Sequence, residues 1–152
     1  MKSVVFLIKS LVIIIILLQV SSCDFAPGSY PYAEEYEINT NEQALIEFIQ
    51  DFKKENPQFN VPEQTQLQDG RNDPNDHWNH IYFYYPEENQ IVYVWTRSID
   101  DKKTTFALVS INEGLTLGNW KDINNDFDRL ENKEQKSKFE ERILSKIKAR
   151  VE

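Results

Sequence analysis

The chain has 152 residues, with 17 Lys+Arg against 25 Asp+Glu, two His and one Cys, for a formal charge of −8. That length suits one domain, and 40% apolar with 12% aromatic residues is enough to build a core, which argues against wholesale disorder. The charge speaks against nucleic acid, which is bound by neutralising phosphates with Lys and Arg, and one cysteine excludes an internal disulfide framework or a Cys-rich zinc site.

Met1–Cys23 reads MKSVVFLIKSLVIIIILLQVSSC. Lys2 and Lys9 supply positive charge, Leu11–Leu18 is an unbroken apolar run, and the small residues Ser21 and Ser22 follow. These are the parts of a secretory signal. A spanning helix needs about 20 apolar residues, and Lys9 would then sit in hydrocarbon. The ending Val20-Ser21-Ser22-Cys23 resembles the lipobox of bacterial lipoproteins. That resemblance implies a thioether-linked diacylglycerol on Cys23, cleavage just before it, and an N-acyl lipid on the new amino terminus. The mature chain would then carry 15 Lys+Arg against 25 Asp+Glu, a formal charge of −10. So acidic a body is repelled by anionic headgroups, leaving the lipid as its hold on the inner or outer membrane.

Asp24–Glu37 holds two prolines, a glycine and four acids without a sustained period, and reads as a tether of roughly 20 Å mean reach. Its interleaved Phe25, Tyr30, Tyr32 and Tyr36 allow a second reading, in which it lies along the domain. The expected organisation is a signal at 1–22, lipidated cysteine and tether at 23–37, and a single α+β domain at 38–152.

Thr40-Asn41-Glu42-Gln43 has capping-box form, and Leu45, Phe48, Ile49 and Phe52 then fall on one helical face, stopped by Asn56-Pro57. Residues 58–79 are polar and turn-rich. His80–Tyr85, Ile91–Ile99 and Thr104–Ile111 are rich in β-branched and aromatic residues and predict three strands. The short connections Pro86–Gln90 and Asp100–Lys103 suit antiparallel hairpins. Simple registers put Ile81, Phe83, Tyr85, Tyr93, Trp95, Phe106 and Leu108 on the helix-bearing face. His80, Tyr82, Tyr84, Val92, Val94, Thr96, Ala107 and Val109 then fall on the other, covered by loop 58–79 or meeting a partner. Trp120, Ile123, Phe127 and Leu130 recur at helical spacing, and Phe139, Ile143, Ile147 and Val151 follow at i+4. The fold class is α+β: an antiparallel sheet of three or four strands packed against an N-terminal helix and C-terminal helices.

Nucleophile motifs are absent from the sequence. None of Ser29, Ser98, Ser110, Ser137 and Ser145 lies in a G-x-S-x-G elbow, and Gly114 and Gly118 form no phosphate loop. The chemistry-bearing stretch is Asp69–His80, with acids, amides and both histidines in twelve residues. Asp73, Asp76, His77 and His80 are its candidate ligands for a divalent cation, since hard cations take oxygens and zinc takes imidazoles. The EF-hand count fails there, because Tyr84 stands twelfth from Asp73 where a bidentate Glu is needed. An Asx-turn loop accounts for the same composition. Glu34-Glu35, Glu87-Glu88 and Asp100-Asp101 read as solvated charge.

The resulting expectation is a lipid-anchored, extracytoplasmic module that binds rather than transforms, as an inhibitor, an immunity-like protein or an envelope-assembly subunit. Its partners would be the membrane through the lipid and an envelope protein, with Tyr82 and Tyr84 as candidate contacts and no bound cofactor. The alternative is a metal-dependent hydrolase using the Asp69–His80 loop.

Overall fold

The computed structural model describes residues 29–151. The expected signal sequence, with Cys23, lies outside them. Five strands, β1 (Glu34–Ile38), β2 (Asn79–Tyr85), β3 (Gln90–Asp100), β4 (Lys103–Glu113) and β5 (Trp120–Asp122), form one antiparallel sheet. Its order is β1-β4-β3-β2, with β5 pairing further along β4. Helix α1 (Glu42–Glu55) precedes the meander, and α2 (Arg129–Phe139), a π turn (Glu140–Leu144) and α3 (Ser145–Val151) follow it. This is the α+β arrangement of antiparallel sheet, N-terminal helix and C-terminal helices that the pattern predicts. Among the described residues no helix is long and apolar enough to cross a membrane.

Helix α1 buries Leu45, Ile49 and Phe52, the stripe its spacing predicts. Its cap is Asn41 rather than Thr40, because the Asn41 carboxamide oxygen accepts the Ala44 N–H at 2.9 Å. Thr40 instead lends its carbonyl to the Thr104 hydroxyl at 2.8 Å, tying the start of the helix to β4. Phe139, Ile143, Leu144 and Ile147 complete the helical layer. Strict i+4 spacing drifts around an α-helix, and the wider π turn absorbs the drift so that adjacent Ile143 and Leu144 are both buried. The same turn projects Arg142 over the Tyr85 ring, 4.9 Å from its centroid, where it grips Glu88 bidentately at 2.8 and 3.0 Å. Glu88, expected as solvated charge, is thereby tied down.

Both helical segments pack on the face of Ile81, Phe83, Tyr85, Val92, Val94, Phe106, Leu108 and Ile111. That corrects the expected phase of β3. The β2–β3 loop is Pro86–Asn89, with Tyr85 paired to Gln90, one residue shorter than the predicted connection. A one-residue slip moves every side chain of a strand to the opposite face. Val92 and Val94 therefore join the core, while Tyr93 and Trp95 turn away with His80 and Tyr82. A bulge in β4 at Val109, where Tyr93 faces Ser110 and Val94 faces Leu108, lets Leu108 and Ile111 both point inward.

The C-terminal expectation is corrected too. Trp120 lies in β5, the helix starts only after the Asp128 cap, and Leu130 is 78% exposed. Four apolar residues at helical spacing were here a strand, a loop and one outward leucine. Glu34–Glu37, expected within the tether, instead belong to the strand Glu34–Ile38, which pairs with Thr104–Leu108. Glu34 there meets Lys136 at 3.1 Å and Asn124 at 2.9 Å, and the compact unit begins at Tyr32.

Candidate functional site

On the sheet face away from the helices, alternation along β2 presents His80 and Tyr82, and the register sets Trp95 and Tyr93 directly opposite them. Direct antiparallel neighbours share a face, so the aromatic rings meet. Tyr82 stacks on Tyr93 at 5.1 Å and 21°, and His80 stacks on Tyr93 at 5.7 Å and 28°. Trp120 reaches over from β5, with its ring 6.1 Å from Tyr93 and 6.4 Å from Tyr82. Trp78 meets Trp95 edge-on at 6.4 Å.

The loop before β2 supplies the polar part. Gly70 exchanges both backbone hydrogen bonds with His80 at 2.8 and 2.9 Å, and its φ of 136° is open to glycine alone. Asp69 accepts the Tyr82 N–H at 2.9 Å, capping the outer edge of β2. The chain then doubles back through Asx turns. Asp73 accepts the Asn75 N–H at 2.8 Å, and Asp76 accepts the Trp78 N–H at 3.0 Å. The second Asp76 oxygen accepts the Asn72 N–H at 3.2 Å and lies 2.9 Å from His80 Nε2. Arg71 anchors the loop from outside, bonding the Asp76 carbonyl at 2.5 Å and Glu42 at 2.7 Å.

His80 is 4% exposed, and both of its ring nitrogens are occupied. Nε2 faces the Asp76 carboxylate and the Asn72 carboxamide nitrogen, each at 2.9 Å, and Nδ1 lies 2.5 Å from the Tyr93 hydroxyl. The Trp78 N–H foremost, then His80 and the Asn72 N–H, hold the Asp76 carboxyl down to about 2, so it is an ionised acceptor. With Nε2 carrying the proton that faces this carboxylate, Nδ1 accepts the Tyr93 O–H. In that tautomer the bonds run in one direction, Tyr93 to His80 to Asp76.

Of the four expected cation ligands, the fold joins only Asp76 and His80. Asp73 is turned into its own Asx turn, and exposed His77 sits edge-on to Trp78 at 5.9 Å. Among the described residues no three His, Cys, Asp or Glu side chains gather as a metal centre requires. Of the two candidate contact tyrosines, Tyr82 lies within the ring group, whereas Tyr84 donates to the Asn89 carboxamide at 2.9 Å in the hairpin turn. Sequence reasoning missed Tyr93 and Trp120. The signal that could have found Tyr93 is the β2–β3 loop length, which decides whether it shares a face with His80.

No known protein family, curated protein or solved structure matches this chain significantly.

Proposed function

We propose that the protein is a lipid-anchored, extracytoplasmic binding module of the bacterial cell envelope, held to the membrane through Cys23 and engaging a protein partner through the outer sheet face. The observation that carries this reading is the ring group Tyr82–Tyr93–Trp120 beside Trp78 and Trp95, set on the face opposite both helical segments. Tyr and Trp combine large apolar area with a polar tip and few rotatable bonds, which is why interface centres are enriched in them. The acidic charge of the chain favours a partner with a basic surface, since complementary potentials speed encounter.

The test is a crosslinked pull-down of the anchored protein from its native membranes, wild type beside the Tyr82→Ala/Trp120→Ala double variant. A stoichiometric partner should be recovered with the wild type and lost with the variant. Equal recovery from both would remove this face as the docking site.

A further inference from the structure

We propose that Tyr93 is a nucleophile, activated by His80 and positioned through Asp76, that accepts an acyl group from apolar esters or thioesters. This rests on the hydrogen-bond chain alone and is independent of the lipid anchor and of any partner. A buried tyrosine ordinarily gives its proton to a carbonyl oxygen, which cannot take it. Here the acceptor is an imidazole nitrogen at 2.5 Å, and the opposite nitrogen is bound to a carboxylate at 2.9 Å. Nucleophile, base and base-orienting acid in hydrogen-bond reach are the arrangement that activates serine in hydrolases. The His80 and Asp76 side chains are 5% and 9% exposed, and so low an exposure strengthens the hydrogen bond between them. Tyr93 itself is half-buried, stacked with Tyr82 and set in a T-shaped contact with Trp120. Those aromatic walls suit an apolar acyl group.

The step balances within these residues. As the Tyr93 oxygen bonds to the carbonyl carbon, its proton passes to His80 Nδ1, and the carboxylate of Asp76 stabilises the imidazolium. The bond to the leaving group breaks with its electron pair, and His80 returns the proton to that group. Water entering as the leaving group departs then gives a proton to His80 and its oxygen to the acyl carbon, the aryl C–O bond breaks, and His80 returns the proton to the Tyr93 oxygen. His80 and Asp76 act through Tyr93 and are positioning and proton-carrying residues.

The full-length chain in detergent is treated with p-nitrophenyl acetate. Nitrophenolate release is followed, and acetylated tyrosines are mapped by mass spectrometry. The reference is Tyr32, which is 45% exposed and would win on accessibility alone. General-base help is worth about a hundredfold or more, so Tyr93 should react at least about tenfold faster than Tyr32 despite its burial. If the adduct turns over, continuing nitrophenolate release should disappear in Tyr93→Phe. His80→Gln and Asp76→Asn should lower the Tyr93 rate and leave that of Tyr32 unchanged, a split that a merely structural role would not produce. Should either variant fail to fold, the wild-type ratio and Tyr93→Phe decide alone. Tyr93 reacting no faster than Tyr32, with release unaltered in Tyr93→Phe, would overturn the proposal.

Discussion

The Tyr36 hydroxyl donates to the Glu140 carboxylate at 3.0 Å across 104 residues of sequence, and this bond closes the sheet's first strand onto the C-terminal helices. The Tyr36 ring lies 5.8 Å from Phe139, and burial foremost, then Glu140, pushes the phenol's pKa upward. Ile38, at the end of the same strand, is 2% exposed. A chain beginning at Tyr32 should match the stability of one beginning at Cys23. One beginning at Asn39 should lose at least about 3 kcal/mol, from one buried isoleucine and part of a tyrosine, and should aggregate through the uncovered β4 edge. Urea unfolding of the two truncations measures the difference, and equal midpoints would return β1 to the status of a tether.

The face assignment can be tested on two neighbours. Phe83 is wholly buried among the helices, so Phe83→Ala should cost about 3–5 kcal/mol. Tyr82 is half-buried on the other face, and Tyr82→Ala should cost roughly 1 kcal/mol, mainly its stack on Tyr93. Thermal melts rank them, and the reverse order would invert the sheet.

Asp76 has a folded-state pKa lowered from 3.8 to about 2, so it binds its proton less readily folded than unfolded. Its contribution to stability is therefore complete above about pH 4 and is lost as pH falls from about 4 through 2. In that window the Asn72–Trp78 loop should loosen first, seen as faster amide exchange at Trp78. Asp76→Asn should show the faster exchange already at neutral pH and lack the acid step. An unchanged acid step in that variant would show that another carboxylate governs it.

Lipidation is tested at its own residue. Cys23→Ser should abolish incorporation of labelled fatty acid and slow removal of the signal, and the protein should leave the detergent phase. A variant that still partitions with detergent after signal removal would end the anchor reading.

Much of the fold was legible because it is locally encoded. The stripe Leu45–Ile49–Phe52 and the β-branched runs of β2–β4 carry their periods in neighbouring residues, and burial follows the period wherever one face meets a core. The spacing Trp120–Ile123–Phe127–Leu130 imitated a helix because four positions fit either pattern, and the pairing of Trp120–Asp122 with β4 decided against it. Glu34–Ile38 is polar enough to pass for linker. Only its partners on β4 and α2, about 70 and 100 residues away in sequence, make it a strand.

The candidate site divides in the same way. Residue order alone crowds acids, amides and both histidines into Asp69–His80 and alternates tyrosine with core residues along the following strand. Asx turns and strand alternation are properties of neighbours, so they can be read directly. Which of those groups meet was decided by tertiary structure alone. A four-residue loop between Tyr85 and Gln90, with Asn89 at a φ of 53°, sets the β3 register. That register brings Tyr93 to His80, and the Gly70 bridge brings Asp76 to the other side of the ring. One residue more in the hairpin would have turned Tyr93 into the core, because the side-chain period of a strand is two.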